Sequence, residues 1–238
     1  IWTTTGDDVS PQDYLIYLDD THWLGIPLSA DDSVRGIVVL EGRSDEPIDT
    51  DTLEQVLAFT SQTGVALEST WRATVDALTG VLNRGAFVER ANEVFEGAIS
   101  RREPLTVFVA DLDNFKEIND TYGHGVGDEV LQRVAQICND TVRLNDLFGR
   151  HGGEEFVGVL PNTSEQEGRQ VAERLRRAVA ESSFEVDGDS FEVTISLGVA
   201  GRRPGDDSFD DVFDRADGAL YAAKEAGRDC VETPSPSD

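Results

Sequence analysis

The spacing of hydrophobic residues changes twice along the chain. Before residue 49, the short apolar runs "DYLIYL" and "VRGIVVLEG" predict strands, and "PLSADDS" between them predicts a turn. From residue 49 to 78, apolar positions recur alternately every four and every three residues, which predicts a helix. We therefore divide the chain into a partial N-terminal segment, a connecting helix, a second domain and a disordered tail, at residues 1–48, 49–75, 76–232 and 233–238.

The repeat in the connecting helix is typical of a coiled-coil seam, along which two copies of the chain would pair. The seam positions are Leu53, Leu57, Thr60, Gly64, Leu67, Trp71, Thr74 and Leu78. Because Thr60, Gly64 and Thr74 weaken such a seam, the alternative is a single amphipathic helix that packs on its own domain.

The second domain is predicted to have an α+β fold. Residues 105–113, "LTVFVADLD", predict a buried strand, and residues 146–161 and 183–201 predict two hairpins. Amphipathic helices are predicted before, between and after these segments. An antiparallel-centred sheet with helices packed on one face would bury the apolar residues of this order.

The composition of the chain is strongly acidic. Its 238 residues include 47 Asp and Glu against 20 Lys and Arg, for a formal net charge of -27. We expect no nucleic-acid partner, since binding to a phosphate backbone requires a basic surface. Salt would screen the self-repulsion of such a chain, so the charge favours a halophilic source. An acidic linker is the alternative, but the acidic residues are spread along the whole chain.

The apolar runs and the cysteines indicate the cellular compartment of the chain. No apolar run reaches the length of a membrane span, so we expect none in this chain. Cys138 and Cys230 lie far apart, without the spacing of a metal site. They favour free thiols in a reducing cytoplasm over a disulfide framework.

Two glycines and two glutamates meet in the first predicted hairpin. In "GRHGGEEFVGVL", Gly152 and Gly153 predict positive φ angles in a tight turn that holds Glu154 and Glu155 at the start of a strand. Neighbouring residues of a strand face opposite sides, so one glutamate should face a site and the other the flank. An exposed acidic turn is the alternative for this motif taken alone.

Two aspartates end the predicted buried strand. Asp111 and Asp113 are two residues apart, so their side chains should lie on the same side of the sheet. Asp111 and Glu154, brought together on adjacent strands, would form an all-oxygen site suited to Mg²⁺ or Mn²⁺. A strand-end cap is the alternative for the two aspartates.

Four blocks, in order, carry a resemblance to a known family. They are "DALTGVLNR" (76–84), "DLDNFKEINDTYGHGVGDEVL" (111–131), "RHGGEEF" (150–156) and "LYAAKEAGRD" (220–229). Together they resemble the GGDEF family of diguanylate cyclases, over about residues 72 to 232. The resemblance implies a palm-like fold with a ferredoxin-like core, in which a mixed, mainly antiparallel sheet is flanked by helices. It also implies a homodimer that condenses two GTP into cyclic di-GMP and two pyrophosphates.

The resemblance implies roles at the metal and at the reacting group. Asp111, Glu154 and the backbone carbonyl of Leu112 match the metal ligands of the family. Glu154 also matches the base that takes the proton from the attacking 3′-hydroxyl.

The resemblance also implies roles for cations at the phosphates. Lys116 matches a catalytic-site lysine that faces the phosphates, while Lys224 and Arg228 match triphosphate-binding positions. A spacing of four residues predicts that Lys224 and Arg228 share one helix face. Lys116 and Lys224 are the only lysines of the chain, and chance placement on a solvated helix is the alternative.

Three further residues are implied in nucleotide recognition. Asn119 and Asp128 match the residues that hydrogen-bond the guanine edge, and His124 matches another substrate contact. Carbonyl and carboxylate acceptors suit the amino and N1 hydrogens of guanine. They disfavour the alternative of an adenine-containing product.

A product-inhibition site is implied by "RLND" at residues 143–146. Arg143 and Asp146 match the RxxD motif of the family, and Arg174 matches its partner arginine on the neighbouring helix. A surface ion pair is the alternative. Two positions depart from the family pattern: His151 replaces an aromatic residue, and Asp229 replaces the common asparagine.

The first segment resembles, more weakly, the C-terminal half of a GAF sensor domain. The leading hypothesis is therefore an active cyclase behind a truncated sensor and a connecting signalling helix. The alternative is a catalytically silent module that binds cyclic di-GMP or GTP.

Overall fold

The computed structural model describes residues 14–18, 21–30, 33–43, 50–186 and 189–234. The chain divides into two compact units between Ala73 and Thr74. The first unit contains a three-stranded antiparallel sheet of order β1-β2-β3 and a long helix, α1. These elements are β1 (Tyr14–Leu18), β2 (Thr21–Ala30), β3 (Ser33–Arg43) and α1 (Thr50–Thr74).

The middle strand of the first sheet was not predicted. β1 and β3 confirm the predicted strands, but β2 runs through the first part of the predicted turn and includes Pro27. Proline disfavours the interior of a sheet because it lacks an N–H group. Among the described residues, β1 pairs with β2 only as far as Gly25, so Pro27 pairs there with β3 alone and its missing N–H is tolerated. Residues 31–32 of the predicted turn lie outside the described residues.

The predicted connecting helix is present but ends at Thr74 rather than near residue 78. The chain turns there, because Asp76 N–H donates to the carbonyl of Val81 at 2.8 Å. Thr60 and Gly64 of the proposed seam are buried. The side chains of Leu53, Leu57, Leu67 and Trp71 lie outside the described residues, so the coiled coil stays a prediction.

The second unit has the predicted α+β fold. Its main sheet has the order β10-β9-β4-β6-β5, antiparallel except for the parallel pair β10 and β9. Its elements are α2 (Arg84–Arg101), β4 (Leu105–Leu112), α3 (Phe115–Tyr122), α4 (His124–Thr141), β5 (Leu147–Gly152), β6 (Glu155–Pro161), α5 (Glu165–Ala180), β7 (Phe184–Val186), β8 (Asp189–Phe191), β9 (Ile195–Gly201), α6 (Phe209–Glu225) and β10 (Val231–Glu232).

Helices cover both faces of this sheet, so the expectation of helices on one face was wrong. The side chains of β4 alternate between two apolar clusters, and all eight of its residues are buried. One cluster contains Val107, Phe87 of α2 and Phe209 of α6. The other contains Phe108 and residues of α4 and α5. A continuous apolar strand is typical of a sheet that is covered twice.

The second predicted hairpin is also different from the expectation. Only β7 and β8 pair with each other, and β9 leaves them to pair with β4 in the main sheet. Ile195, Leu197 and Val199 explain this placement, because all three are buried in the core. Gly198 lets α6 pack closely on β9, since a Cβ there would lie 2.0 Å from the carbonyl oxygen of Ala216.

Candidate active site

The site is centred on Asp111, at the end of β4. This residue is only 6% exposed, and Nζ of Lys224 on α6 lies 2.9 Å from its Oδ2. Burial raises the pKa of Asp111 to about 6, the ion pair with Lys224 opposes this shift, and the charges of Glu154 and Glu155 add to it. The site therefore concentrates negative charge around a buried carboxylate.

The β5–β6 turn places both glutamates beside Asp111. Glu154 lies in the turn, where its carbonyl accepts from the N–H of Leu112 at 3.3 Å. Glu155 begins β6 and pairs directly with Asp111, so the two side chains share one face of the sheet. Sequence reasoning favoured Glu154 and missed Glu155, whose position follows from the strand register.

The glycine pair acts differently from the prediction. Neither Gly152 nor Gly153 is among the described residues with positive φ. Instead, the pairing of β5 with β6 shifts register between Arg150 and Gly152, directly before the turn. Nothing lies within 4 Å of a Cβ added at Gly153, so the turn leaves room for a ligand to approach the backbone.

The donor set suits a hard cation that keeps most of its water. Within the described part of the chain, no group of three His, Cys, Asp or Glu side chains converges as a metal cage. Asp111, Glu154 and the carbonyl of Leu112 offer oxygen only, as Mg²⁺ prefers when phosphates complete its shell. Lys224 holds Oδ2 of Asp111, so a metal would compete with Lys224 for that oxygen.

Asp113 has a structural role. Its carboxylate accepts from Ser196 Oγ at 2.6 Å, from Thr194 Oγ1 at 2.8 Å and from the N–H of Asp229 at 3.1 Å. Since Ser196 pairs with Asp111, the two aspartates lie on the same side, as predicted. The capping role therefore belongs to Asp113, while Asp111 faces Lys224.

The residues implied in guanine recognition lie on α3 and α4. Sequence reasoning did not predict α3, which follows β4 after only two residues, and Gly123, with φ 88°, separates it from α4. Asn119 lies on α3, while His124 and Asp128 lie exposed on the first turns of α4. A Cβ at Gly127 would lie 2.0 Å from Oδ1 of Asn119, so this glycine makes room for the asparagine.

The cations implied at the phosphates are placed by three elements. Lys116 is exposed on α3, and Lys224 lies in the last turn of α6. Arg228 follows α6 rather than continuing it, so the prediction that Lys224 and Arg228 share a helix face was wrong. Gly227 ends the helix with φ 119°, and Arg228 has φ 68°.

One arginine joins the first and third sequence blocks. Arg150 Nη1 donates to Asp76 at 3.0 Å, while its Nε and Nη2 donate to the carbonyl of Gly153 at 3.0 and 2.7 Å. Burial opposes ionisation of Asp76, but hydrogen bonds from Thr79 and Arg150 outweigh burial and lower its pKa. Sequence reasoning assigned no role to Asp76 or Arg150.

His151, which replaces an aromatic residue, packs on Phe213 of α6 with ring centroids 4.9 Å apart. Burial and the nearby charge of Arg84 lower the pKa of His151. The imidazole therefore takes the place of an apolar ring behind the turn.

The RxxD segment forms a closed turn before β5. The N–H of Arg143 donates to Asp146 Oδ2 at 2.8 Å, and the N–H of Asp146 donates to the carbonyl of Arg143 at 3.0 Å. Arg174 on α5 donates to the carbonyl of Thr141 at 2.9 Å, so it lies beside the end of α4. Arg143 and Arg174 are exposed.

Comparison with known proteins identifies the family of this chain. The family model described as "Diguanylate cyclase, GGDEF domain" matches residues 73–230. The chain belongs to the GGDEF family. This match agrees with the resemblance expected over about residues 72 to 232, whereas a GAF-like sensor before it stays a prediction.

The chain is similar to diguanylate cyclase DgcP of Pseudomonas aeruginosa, with 44% identity over 165 residues. That match covers 68% of this chain and 24% of DgcP, and the first three curated relatives are covered over 24% to 36% of their length. The chain therefore corresponds to one part of each longer relative.

Two solved structures are similar to the second unit. The GGDEF domain of DgcB from Caulobacter crescentus, in complex with c-di-GMP, has a TM-score of 0.66 and 34% identity, over 68% of this chain and 95% of that one. The active GGEEF domain of a diguanylate cyclase from Vibrio cholerae has a TM-score of 0.61 and 35% identity, over 64% and 97% of the two chains.

Among the helices of the described residues, none is both long and apolar enough to cross a membrane.

Proposed function

We propose that this chain is a diguanylate cyclase that condenses two GTP into cyclic di-GMP and two pyrophosphates. The most direct support is the cluster at the end of β4, where the buried Asp111 pairs in register with Glu155 and holds Lys224 at 2.9 Å. Carboxylates for a divalent cation and a cation for phosphates are the parts that phosphoryl transfer requires. Membership of the GGDEF family supports the same reaction.

Mg²⁺ or Mn²⁺ is the proposed cofactor. Asp111, Glu154 and the backbone carbonyl of Leu112 would hold it. All three offer oxygen, and the buried carboxylate of Asp111 would gain from a positive partner. Bound there, the metal would offset charge on the triphosphate.

Glu154 is the proposed base. It would accept the proton of the 3′-hydroxyl of one GTP while that oxygen bonds to the α-phosphorus of the other. The bond from this phosphorus to the oxygen bridging to the β-phosphate breaks, and pyrophosphate leaves. Lys116, Lys224 and Arg228 would hold the departing phosphates. A second transfer with the roles exchanged closes the ring, so two chains must act as a homodimer.

Guanine recognition is assigned to Asn119, Asp128 and His124. The room that Gly127 leaves for Asn119 supports this assignment. If the site also accepted ATP, a mixed product would form. Competition between GTP and ATP, followed by chromatography of the products, tests this alternative.

Product inhibition is proposed at Arg143, Asp146 and Arg174. The two exposed arginines, close to one turn, support binding of an anionic dinucleotide. Cyclic di-GMP should lower the initial rate of the parent chain, and it should lower the rate of Arg143→Ala much less.

The first unit and the composition support proposals on regulation, source and location. The sheet of β1, β2 and β3 would belong to a GAF-like sensor, and α1 would carry its signal by pairing two chains. The charge of -27 supports a halophilic source. Free thiols at Cys138 and Cys230 suit the cytoplasm, where GTP is available.

The proposed activity is tested by incubating the chain with GTP and Mg²⁺ across a salt and protein-concentration series. Chromatography should show cyclic di-GMP from the parent chain and none from Glu154→Gln. The absence of product under all these conditions, together with tight binding of cyclic di-GMP, would replace the cyclase by the silent binding module.

A further inference from the structure

The turn that carries Arg228 has an unusual backbone. Gly227, Arg228 and Asp229 have φ values of 119°, 68° and 44°, so three consecutive residues adopt left-handed conformations. Two of them carry side chains, which disfavour this region. Such a turn persists only where surrounding contacts hold it.

Contacts on both sides of Arg228 hold the turn. Towards α6, the N–H of Arg228 donates to the carbonyl of Ala223 at 3.1 Å. After it, the N–H of Asp229 donates to Asp113 at 3.1 Å. The side chain of Asp229 accepts from Nη1 of Arg176 at 2.6 Å. Arg176 is thus the only side chain that neutralises Asp229 among the described ion pairs.

Arg176 is fixed from its own helix. It lies on α5, where its Nε donates to Glu173 at 3.1 Å, and its side chain is only 18% exposed. The planar guanidinium therefore bridges two carboxylates and cannot follow a moving partner without breaking one contact. It ties the turn after α6 to a helix that packs on β9 and β10.

Charge makes this tie relevant to nucleotide binding. Asp229 directly follows Arg228 in the chain, and the backbone N–H of Asp229 donates to the carboxylate of Asp113. Without a cation at Asp229, an unpaired negative charge would lie beside the residue proposed to bind triphosphate. That charge would repel the phosphates and attract the guanidinium of Arg228 away from them.

We propose that Arg176 is a positioning residue of the phosphate site: its ion pair with Asp229 holds the left-handed turn and cancels the charge that would compete for Arg228. This role rests on the proposed binding of GTP. Arg176 itself does not touch the nucleotide in this proposal, and it acts through Asp229 and the backbone of the turn.

The test compares Arg176→Gln, Asp229→Asn and the double variant with the parent chain. Arg177→Gln is the matched control, since Arg177 is exposed and its contact with Glu173, at 4.0 Å, is long. Initial rates are measured while the product is removed by a phosphodiesterase. We expect Arg176→Gln to raise KM for GTP by about tenfold, as loss of one charge-assisted contact would, with a smaller change in kcat.

The double variant gives the decisive comparison. Asparagine tolerates the left-handed region and carries no charge, so Asp229→Asn should restore most of the affinity that Arg176→Gln loses. The proposal is overturned if Arg176→Gln behaves like Arg177→Gln. It is also overturned if the double variant stays as impaired as Arg176→Gln, because Arg176 would then act only through the packing of α5.

A second readout needs no nucleotide. Trypsin cleavage after Arg228, identified by mass spectrometry, should be faster in Arg176→Gln than in the parent or in Arg177→Gln. Unchanged cleavage would contradict the role in the turn. A parent chain that forms no cyclic di-GMP would instead refute the cyclase, so the two failures are distinguishable.

Discussion

At the residue scale, Asp111 is subject to opposing influences. Its carboxylate is buried next to two further acids, which favours the protonated form, and it is paired with Lys224, which favours the ionised form. Burial prevails, and the pKa lies at about 6 instead of 3.8. A carboxyl with a raised pKa in the folded state stabilises the protein in acid, and it loses that contribution as the pH rises through the folded value.

We therefore expect the metal-free parent chain to lose more stability than Asp111→Asn between pH 5 and pH 7.5. The extra loss should be about 1 kcal/mol, since one pKa unit corresponds to about 1.4 kcal/mol. The free energy of unfolding, measured by urea titration with a chelator present, checks this. The lower pH is kept above the pI of about 4.2, where the chain would precipitate. Equal pH dependence of the two proteins would contradict the burial argument.

A second residue-scale prediction concerns Gly127. In Gly127→Ala the new methyl group would meet Asn119 Oδ1 at 2.0 Å, so the asparagine must move. We expect KM for GTP to rise about tenfold and the preference for GTP over ATP to fall, because the proposed contact of Asn119 with guanine would be lost. Gly125→Ala is the control, since nothing lies within 4 Å of a Cβ there. Steady-state kinetics with both nucleotides should show the effect in Gly127→Ala alone.

At the scale of elements, the spacing of apolar residues predicted the strands and helices that bury one regular apolar face. The strand β4, which carries Asp111, and the hairpin around Gly152 were found from their residues alone. The short helix α3 was missed because only Phe115 and Ile118 are buried on it. The double covering of β4 and the transfer of β9 to the main sheet depend on long-range packing, which local periodicity does not record.

The candidate site was also predicted in part from the sequence. The four sequence blocks indicated Asp111, Glu154 and Lys224, which the fold brings close together. The local pattern did not show that Glu155 faces Asp111, because that depends on strand register. Arg176 carried no local signal, because its partner lies 53 residues away in the chain. The turn at Arg228 was mistaken for helix because spacing alone does not reveal a left-handed backbone.

The link between the β5–β6 turn and residue 76 gives a prediction at this scale. Arg150 holds the carbonyl of Gly153 and Asp76 at once. Arg150→Gln should lower kcat by about tenfold with little change in KM for GTP, because the turn that carries Glu154 loses its support. Arg150→Lys keeps the charge beside Asp76 but loses the fork, so its kcat should also fall. A kcat equal to that of the parent in both variants would exclude this role for the arginine.

At the scale of the whole molecule, charge dominates. With 47 acidic and 20 basic residues, most carboxylates cannot have a cationic partner of their own. On α2, Glu89, Glu93 and Glu96 are exposed and lie three or four residues apart, so they repel one another on one helix face. Each such pair destabilises an isolated helix by about 0.2–0.5 kcal/mol at low salt. Raising the salt shortens the screening length from about 10 Å at 0.1 M to about 3 Å at 1 M.

We expect the Tm of the parent chain to rise by several degrees between 0.1 and 1 M KCl and to change less above 1 M, where screening is nearly complete. A gain of 1 kcal/mol corresponds to about 2–4 °C for a chain of this size. In the triple variant Glu89→Gln, Glu93→Gln, Glu96→Gln, the Tm at 0.1 M should be higher and its rise with KCl smaller, because fewer like charges remain to be screened. Thermal unfolding of both proteins followed by circular dichroism decides between screening and a general salt effect. If the rise with KCl has the same slope in the triple variant, repulsion among Glu89, Glu93 and Glu96 is not the cause of the salt dependence.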